Sequence, residues 1–327
     1  MHRQKFIGAG MKNLLALAVL TLSAQAMAQS WPTKPVRIIV PFSPGGTSDV
    51  QARLIGKRMF ETHGQTFVPE NRAGAAGMIG AEATVRAPAD GYTLLLISAA
   101  LSVNATLYAT RAKFDPVKDL AAVTWVSSTP MLLLVHPSVP VKSVQELVVL
   151  SRRNVAGLNG GHNGAGTTSH IALEMFRQQA GANAAAIAYK GGGPTLTAAL
   201  AGEVDFSFGT LTTAKQQIEA GKLRALAVTV AKPIVDYPKL PTMKSMYPEF
   251  ESDNWFGFFV SSKVPRDLLM RINTTLVAAI NAPEVRNFIV KEGGVAIGST
   301  PEEFEKHFQA EVARYAKVIR AGNIKAD

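Results

Sequence analysis

Three glycine-rich segments with hydroxyl side chains are the parts of this chain best suited to do chemistry. They cover residues 41–49, 159–170 and 189–195, and a weaker fourth segment covers residues 71–77. Adjacent glycines allow positive φ angles and let a ligand approach the backbone amides closely. Where such a loop leads into a helix, the free N–H groups and the helix dipole suit a carboxylate or a phosphate. The three loops together predict amides that converge on an anion.

Residue types and motifs for covalent chemistry are scarce. The chain has no cysteine, which excludes a thiol nucleophile, a disulfide framework and a cysteine-rich zinc site. The spacing from Gly161 to Gly166 is followed by Thr167 rather than by the lysine of a P-loop. Signatures of a dinucleotide site, a serine-hydrolase elbow and a zinc protease are also missing from the sequence. We therefore predict no catalytic residues, no cofactor and no metal.

Two reactive alternatives concern the second loop. His162 and His170 stand eight residues apart, and Glu174 follows one helical turn later, but a metal site lacks a third clustered ligand. Alternatively, Thr167 or Ser169 is a nucleophile with His170 as its base. The alternative function is then an exported hydrolase or transferase that acts on an anionic substrate.

The net charge of +10 does not indicate a nucleic-acid-binding protein. Three of the 34 basic residues lie in residues 1–28, which contain no acidic residue, so the remainder carries +7. These charges are scattered, and Arg152-Arg153 is the only adjacent arginine pair. Because nucleic-acid binding needs basic residues clustered on one face, we expect no nucleic-acid partner. The mild positive charge favours the approach of small anions.

The elements that must position the loops alternate between strands and helices. Short apolar runs predict strands at residues 36–40, 66–68, 92–97, 131–135, 184–189, 204–208 and 223–230. Continuous apolar strands separated by helices are typical of a parallel sheet covered on both faces, so the fold class is α/β. Near the C-terminus, one helix begins after Pro265, and a capping box at Thr300 opens another that ends at Gly322.

The first 28 residues have the pattern of a signal peptide. A basic start precedes an apolar run at residues 14–20, and Ala26-Met27-Ala28 forms an A-x-A cleavage site. We predict export to the periplasm with cleavage after Ala28; a retained anchor helix is the alternative. Met11 is an equally good start of the chain as Met1.

Beyond these patterns, the mature chain resembles the Bug-type periplasmic solute-binding receptors of tripartite tricarboxylate transporters. The resemblance begins with Trp31-Pro32 and runs through Pro41-Phe42 and Pro44-Gly45-Gly46-Thr47 to Asp49. It continues along the whole chain in segments 70–77, 89–95, 164–170, 188–192, 201–205, 221–229, 240–242, 255–258 and 301–304. So many matches in one order are specific, although each alone is weak.

The resemblance implies a two-lobed periplasmic binding protein of the Venus-flytrap, type II-like kind. Each lobe is expected to be a mainly parallel sheet flanked by helices. We place lobe 1 at residues 29–128 plus 230–327, so that the final helices return to it, and lobe 2 at residues 129–229. A small carboxylate ligand would be held between the lobes, largely by backbone amides and hydroxyls.

The family's ligand-binding loops carry over to this chain by position. In the first lobe they point to Phe42, Gly45, Gly46, Thr47 and Asp49. In the second lobe they point to Gly164, Gly166, Thr167, Thr168, His170, Tyr189, Lys190, Gly191 and Asp205. Before Gly164, His162-Asn163 replaces the small residues that are usual in the family, and residues 243–248 also depart from its pattern. These departures leave the identity of the carboxylate open.

The function that the resemblance implies is solute binding, not catalysis. The closed receptor would deliver its carboxylate to the membrane permease subunits of a tripartite tricarboxylate transporter, and a monomer is expected. A second alternative is that the protein reports its ligand to a membrane kinase, since both roles use the same closed state.

Overall fold

The computed structural model of the protein describes residues 31–250, 252–291 and 293–325. The predicted signal peptide, residues 1–28, lies outside the described residues. Within the described ranges, every helix is too short or too polar to cross a membrane.

Strands and helices alternate along most of the described chain, as the apolar runs predicted. The strands are β1 Val36–Val40, β2 Phe67–Asn71, β3 Thr93–Ser98, β4 Leu120–Val135, β5 Leu158–His162, β6 Ala184–Ala188, β7 Phe206–Thr210, β8 Arg224–Val228, β9 Asp253–Ser261 and β10 Val295–Ala296. The helices are α1 Thr47–His63, α2 Met78–Val85, α3 Ala100–Leu107, α4 Pro116–Asp119, α5 Val144–Arg153, α6 Thr168–Gln179, α7 Gly192–Ala201, α8 Leu211–Glu219, α9 Met243–Met246, α10 Arg266–Ile280, α11 Pro283–Lys291 and α12 Pro301–Ala321. A 3₁₀ turn covers Ala75–Gly77.

The strands form one continuous mixed sheet in the order β2-β1-β3-β9-β4-β7-β5-β6, with β8 and β10 also paired to β4. Three strands at each end are parallel, whereas β4 and β9 run antiparallel to their neighbours. The parallel strands predicted for each lobe are thus present, and the sheet is mixed because the antiparallel strands β4 and β9 lie between them. A buried strand is apolar on both faces whichever way its neighbours run, so the continuous apolar run at 131–135 did not report direction.

The long strand β4 connects the two halves of the sheet. Its first part, Leu120 to Pro130, pairs with β9, and its last part, Met131 to Val135, pairs with β7 and β8. Separate apolar cores lie against β1–β3 on one side and β5–β7 on the other. The two-lobed α/β fold is confirmed, while the residue boundaries given to the lobes stay a prediction.

The last helix, α12, packs against both cores rather than against one. Its capping box is formed as predicted, because the Thr300 hydroxyl accepts from the Glu303 amide and the Glu303 carboxylate accepts from the Thr300 amide. Phe304 and Phe308 belong to a first-lobe core, and Tyr315 and Ile319 belong to a second-lobe core. A helix of 21 residues is about 30 Å long, enough to reach from one lobe to the other.

The second glycine-rich segment is shorter as a loop than the sequence suggested. Asn159 to His162 are part of strand β5, and the loop proper begins at Asn163. A Cβ on Gly160 would lie 2.6 Å from side-chain atoms of Leu173 and Phe206. The glycine at this position therefore serves close packing of a strand under α6, a role that composition does not separate from loop flexibility.

Candidate functional site

Helix N-termini converge on a cavity between the two lobes. α1, α6, α7 and α8 begin just beyond the ends of β1, β5, β6 and β7, which all finish at the cavity. About 620 Å³ of space is empty there, including the open mouth. Its walls are formed by Phe42, Gly46, Thr47, Ser48, Ser98, Leu134, Asn163, Thr167, Thr168, Gly192, Thr195, Leu196, Ser207, Gly209, Thr210, Thr213, Asn254 and Phe256.

The cavity wall is polar but uncharged. Nine of these 18 residues are Ser or Thr and two are Asn, and no Asp, Glu, Lys, Arg or His belongs to the wall that the described residues form. Hydroxyls and the free amides of the first helical turn are neutral hydrogen-bond donors. Each helix N-terminus also presents about half a positive charge. Such a wall can stabilise an anion through dipoles instead of ion pairs.

The first loop is held in place by a buried carboxylate, that of Asp49. Its oxygens accept hydrogen bonds from the Gly45 amide at 3.1 Å, from Arg53 Nη2 at 2.9 Å and from Asn71 Nδ2 at 3.1 Å. Burial alone would raise the pKa of Asp49, but these hydrogen bonds outweigh burial and lower the pKa below its ordinary value. Asp49 therefore stays ionised and braces the loop from behind, while Gly46 and Thr47 form the wall.

The second loop is closed by local hydrogen bonds around Thr167. The Thr167 hydroxyl donates to the Gly164 carbonyl at 2.7 Å and caps α6 by accepting from the His170 amide at 3.4 Å. The Ser169 hydroxyl accepts from the Asn163 amide at 2.9 Å. His170 Nδ1 accepts from the Gly166 amide at 3.2 Å. These contacts shape the loop, and they do not have the form of a base that activates a hydroxyl.

His162 and His170, weighed above as metal ligands, stack on each other with ring centroids 4.6 Å apart. His170 Nε2 lies 3.9 Å from Glu174 Oε1. Among the described residues, no group of three or more histidine, aspartate or glutamate side chains is arranged to hold a metal ion.

The third loop touches the first across the mouth of the cavity. The Ser43 amide donates to the Lys190 carbonyl at 3.4 Å, and a Cβ on Gly193 would lie 2.6 Å from the Pro44 carbonyl oxygen. Deeper inside, the Thr47 and Thr210 hydroxyls are 2.7 Å apart and join the two lobes by a hydrogen bond. The lobes therefore meet in a closed arrangement.

The structure brings some of the residues predicted for the site to the wall and leaves others behind it. The wall contains Phe42, Gly46, Thr47, Thr167 and Thr168. The residues outside the wall are Gly45, Asp49, Gly164, Gly166, His170, Tyr189, Lys190, Gly191 and Asp205. Most of the latter shape the loops: Gly45, Gly164, Gly166 and Gly191 all have positive φ. Lys190 is exposed, and the Tyr189 hydroxyl donates to Glu203 at 3.4 Å.

Asp205 is far from the cavity along its strand. It precedes β7, and its carboxylate accepts from the amide of Asn159 at the start of β5, 2.7 Å away. The cavity lies at the other, carboxyl end of these parallel strands. Asp205 thus joins two strand beginnings on the opposite edge of the sheet.

Thirteen of the 18 wall residues were not among the predicted site residues, and two groups of them show why. Ser98 and Thr210 each end a strand directly before a helix, so the strand-to-helix junctions without a glycine cluster could have indicated them. By contrast, Leu134, Asn254 and Phe256 come from β4 and β9. No local signal marks these three, because they reach the cavity only through the long-range pairing of β4 and β9 within the sheet.

Behind the back wall of the cavity, which β4 and β9 form, lies a partly buried ion cluster of Asp253, Glu311 and Arg314. Arg314 donates to both oxygens of Glu311 at 2.8 Å, and its Nη2 lies 3.9 Å from Asp253 Oδ1. Burial, and then the charge of Glu311, raise the pKa of Asp253 above its ordinary value, although the Ser128 hydroxyl and Arg314 act against them. The cluster fastens α12 to β9.

Comparison with known proteins gives a consistent result. A profile described as tripartite tricarboxylate transporter family receptor matches residues 51–324. The protein BugT of Bordetella pertussis is 31% identical over 312 residues, which cover 94% of this chain and 95% of BugT.

Two solved structures share the fold over nearly their whole length. R. palustris Rpa4515 with adipate is 34% identical, with a TM-score of 0.86, and the alignment covers 90% of this chain and 99% of that one. MatC from Rhodopseudomonas palustris with bound malate is 26% identical, with a TM-score of 0.84, and the alignment covers 88% of this chain and all of that one.

Proposed function

The chain belongs to the tripartite tricarboxylate transporter receptor family, and from that premise we propose that it is an exported receptor for a small carboxylate. The ligand would sit in the cavity between the lobes, held by Gly46 and Thr47 on one side and by Thr167, Thr168 and Gly192 on the other. The receptor would then deliver the ligand to the membrane permease subunits of its transporter. Adipate and malate in two solved relatives support a carboxylate ligand here.

One observation carries the proposal: the N-termini of four helices face one cavity, and the described residues that line it include none with a charged side chain. A carboxylate placed there would accept from helix-terminal amides and hydroxyls on both lobes. Because these groups come together only when the lobes are closed, a ligand that binds them would favour the closed state. A closed receptor would thereby differ in shape from the empty one, which is what a permease needs to recognise.

A thermal-shift screen of the purified protein tests this proposal. Some dozens of carboxylic acids are each paired with the corresponding neutral amide. A ligand at about a hundred times its Kd stabilises the folded protein by about 2.7 kcal/mol, which is readily seen as a rise in Tm. We expect at least one acid to raise Tm while its amide does not. Equal shifts with acids and amides, or no shift across the panel for protein shown by mass spectrometry to be ligand-free, would contradict the proposal.

Export is tested separately, on the full-length chain expressed in a Gram-negative host. N-terminal sequencing of the periplasmic fraction is expected to begin at Gln29. A start at Met1 or Met11 in the membrane fraction would instead support a retained anchor. Scattering of the same material should give the mass of a monomer.

A further inference from the structure

Two asparagine side chains in the cavity wall have carbonyl oxygens that the protein leaves without a partner. These are Oδ1 of Asn163 and Oδ1 of Asn254; both atoms are buried, and neither accepts a hydrogen bond from any residue that the structure describes. Both residues line the cavity.

Asn163 presents its amide from the second lobe. It stands between the end of β5 and the start of α6, and its backbone N–H is held by the Ser169 hydroxyl at 2.9 Å. Its Nδ2 would lie 3.7 Å from a Cβ on Gly192, so the side chain reaches toward the N-terminus of α7. With its backbone anchored in this way, the side chain is directed into the cavity.

Asn254 presents its amide from the back wall. It lies on β9 opposite Thr129 of β4, and only 6% of its surface is exposed. Because side chains alternate along a strand, Asn254 and Phe256 face the cavity, whereas Asp253 and Trp255 face α12. Asn254 is thus held by the sheet in a fixed position.

A buried acceptor without a partner costs about 1–3 kcal/mol, and the complex avoids that cost if the ligand supplies a donor. An ionised carboxylate has only acceptors, so it cannot pair with either oxygen. A hydroxyl or amino group elsewhere on the ligand can supply that donor. A neutral hydroxyl suits this wall better than an ammonium group, because the wall has no acidic residue to balance a buried positive charge.

We propose that the ligand of this receptor is a hydroxy-substituted carboxylate and that Asn163 and Asn254 are the residues that recognise its hydroxyl. This inference rests on the proposed function. The helix N-termini bind the carboxylate, and the two amide oxygens distinguish the hydroxylated acid from its unsubstituted parent. A site built to pair with a hydroxyl rejects the analogue that lacks it, since the analogue leaves the amide unpaired.

Calorimetric titration of the protein with pairs of acids tests the inference. Succinate, malate and tartrate have the same four-carbon chain and the same two carboxylates, but they carry no, one and two hydroxyls. The pairs glutarate and 2-hydroxyglutarate, and propionate and lactate, extend the comparison to other chain lengths. For the carbon chain that binds best, we expect the Kd of the hydroxylated acid to be at least ten times lower than that of the parent acid without the hydroxyl. Aspartate, with an ammonium in place of the hydroxyl, should bind more weakly than malate.

Variants assign the discrimination to the two residues. In Asn163→Ala and in Asn254→Ala, the ratio of the two affinities should fall toward one, mainly because the hydroxylated acid binds more weakly. Asn287→Ala, at an exposed position of α11, is the matched control and should keep the ratio of the unchanged protein.

The outcomes separate the two proposals. If an unsubstituted acid binds as tightly as its hydroxylated form, the inference is wrong and the carboxylate receptor stands. If both variants still prefer the hydroxylated acid, the two asparagines do not cause the preference and their assignment is wrong. If no acid binds at all, the proposed function itself fails. The acid series needs no variant, so the inference remains testable even if a substitution prevents folding.

Discussion

Asp253 and Asn254 are adjacent on β9, but they belong to two regions that handle polarity in opposite ways. Asn254 faces the cavity, whose wall has hydroxyls and amides and no charged side chain in its described part. Asp253 faces α12 and takes part in the partly buried ion cluster with Glu311 and Arg314. One residue along the strand therefore separates a neutral binding surface from a fully charged joint.

The difference shows where this molecule uses charge. In the ion cluster and around Asp49, a charged side chain meets fixed partners of opposite charge and joins one element to another. In the proposed function the cavity exchanges its occupant, and a permanent cation there would be desolvated each time the lobes closed on an empty site. Neutral dipoles offer the anion a binding surface without leaving a buried charge unpaired in the empty state.

The largest expected effect comes from breaking the ion cluster. Arg314→Met keeps much of the side-chain volume but leaves Glu311 and the partly exposed Asp253 without their cation, and we expect a loss of about 2 kcal/mol in the free energy of unfolding. Urea unfolding measures it. Arg320→Met, one and a half turns further along the same helix and exposed, is the control, with an expected change below about 0.5 kcal/mol. Equal losses of unfolding free energy in the two variants would show that the ion cluster does not stabilise the fold.

The next effect concerns closure of the cavity. Gly193→Ala would place a methyl group 2.6 Å from the Pro44 carbonyl oxygen of the other lobe. Since alanine favours the helix and the clash exists only between closed lobes, we expect affinity for any acid that binds to fall at least tenfold while the Tm of the empty protein does not fall. Thr197→Ala, at an exposed position of the same helix outside the cavity wall, is the control for affinity and for compaction measured by solution scattering.

Normal compaction and affinity in Gly193→Ala would mean that the two loops do not need to touch. The contact between Ser43 and Lys190 would then be incidental to binding.

A pH series compares the two carboxylates directly. The pKa of Asp49 is lowered in the folded state, so its ionised form adds stability that is present above its unfolded pKa, near 3.8, and is lost as pH falls through the lower folded value. The pKa of Asp253 is raised, so its contribution is most favourable in acid and declines as pH rises from near 3.8 through the higher folded value.

Asp49→Asn and Asp253→Asn should therefore give opposite slopes when the unfolding free energy of each is subtracted from that of the unchanged protein between pH 3 and pH 7. The Asp49 difference should rise with pH, and the Asp253 difference should fall. Slopes of the same sign would show that the two carboxylates do not differ in the way their surroundings indicate.

The smallest expected effect is on the one cation among the residues predicted for the site. Lys190 is exposed and contributes its backbone carbonyl to the contact with Ser43, so Lys190→Gln should change the Kd of a bound acid by less than about threefold, since exposed charges interact weakly in water. Titration at low and high salt measures this. A tenfold loss of affinity in Lys190→Gln, matched by a similar loss in the unchanged protein at high salt, would show that the charge of Lys190 contributes to binding.

Much of the fold could be predicted from local patterns. The strand at residues 36–40, the capping box at Thr300 and the helix that begins after Pro265 follow from apolar runs and caps, which act within a few residues. Gly160 and Gly161 were predicted to lie in a loop, but they are part of strand β5. A glycine in a loop and a glycine that allows close packing of a strand under a helix look the same in the sequence. The sequence patterns could not predict whether the central strands run parallel or antiparallel. A strand such as β4 that is buried on both faces is apolar whichever way its neighbours run.

What the sequence by itself determined is the chemistry of the binding surface: glycine loops and hydroxyls that lead into helices, without a thiol or a complete metal set. The loops that contain Gly46, Thr47, Thr167 and Thr168 were predicted in this way, since loop and helix start are adjacent in the chain, and the family resemblance singled out these residues and Phe42, all of which line the cavity. Only the tertiary structure decided which polar groups face the ligand and which hold the frame. Asn254 and Asp253 differ by one position, and the pairing of β9 with β4 under α12 gives one to the cavity and the other to the ion cluster. Long-range strand pairing makes that choice, and no pattern within a few residues contains it.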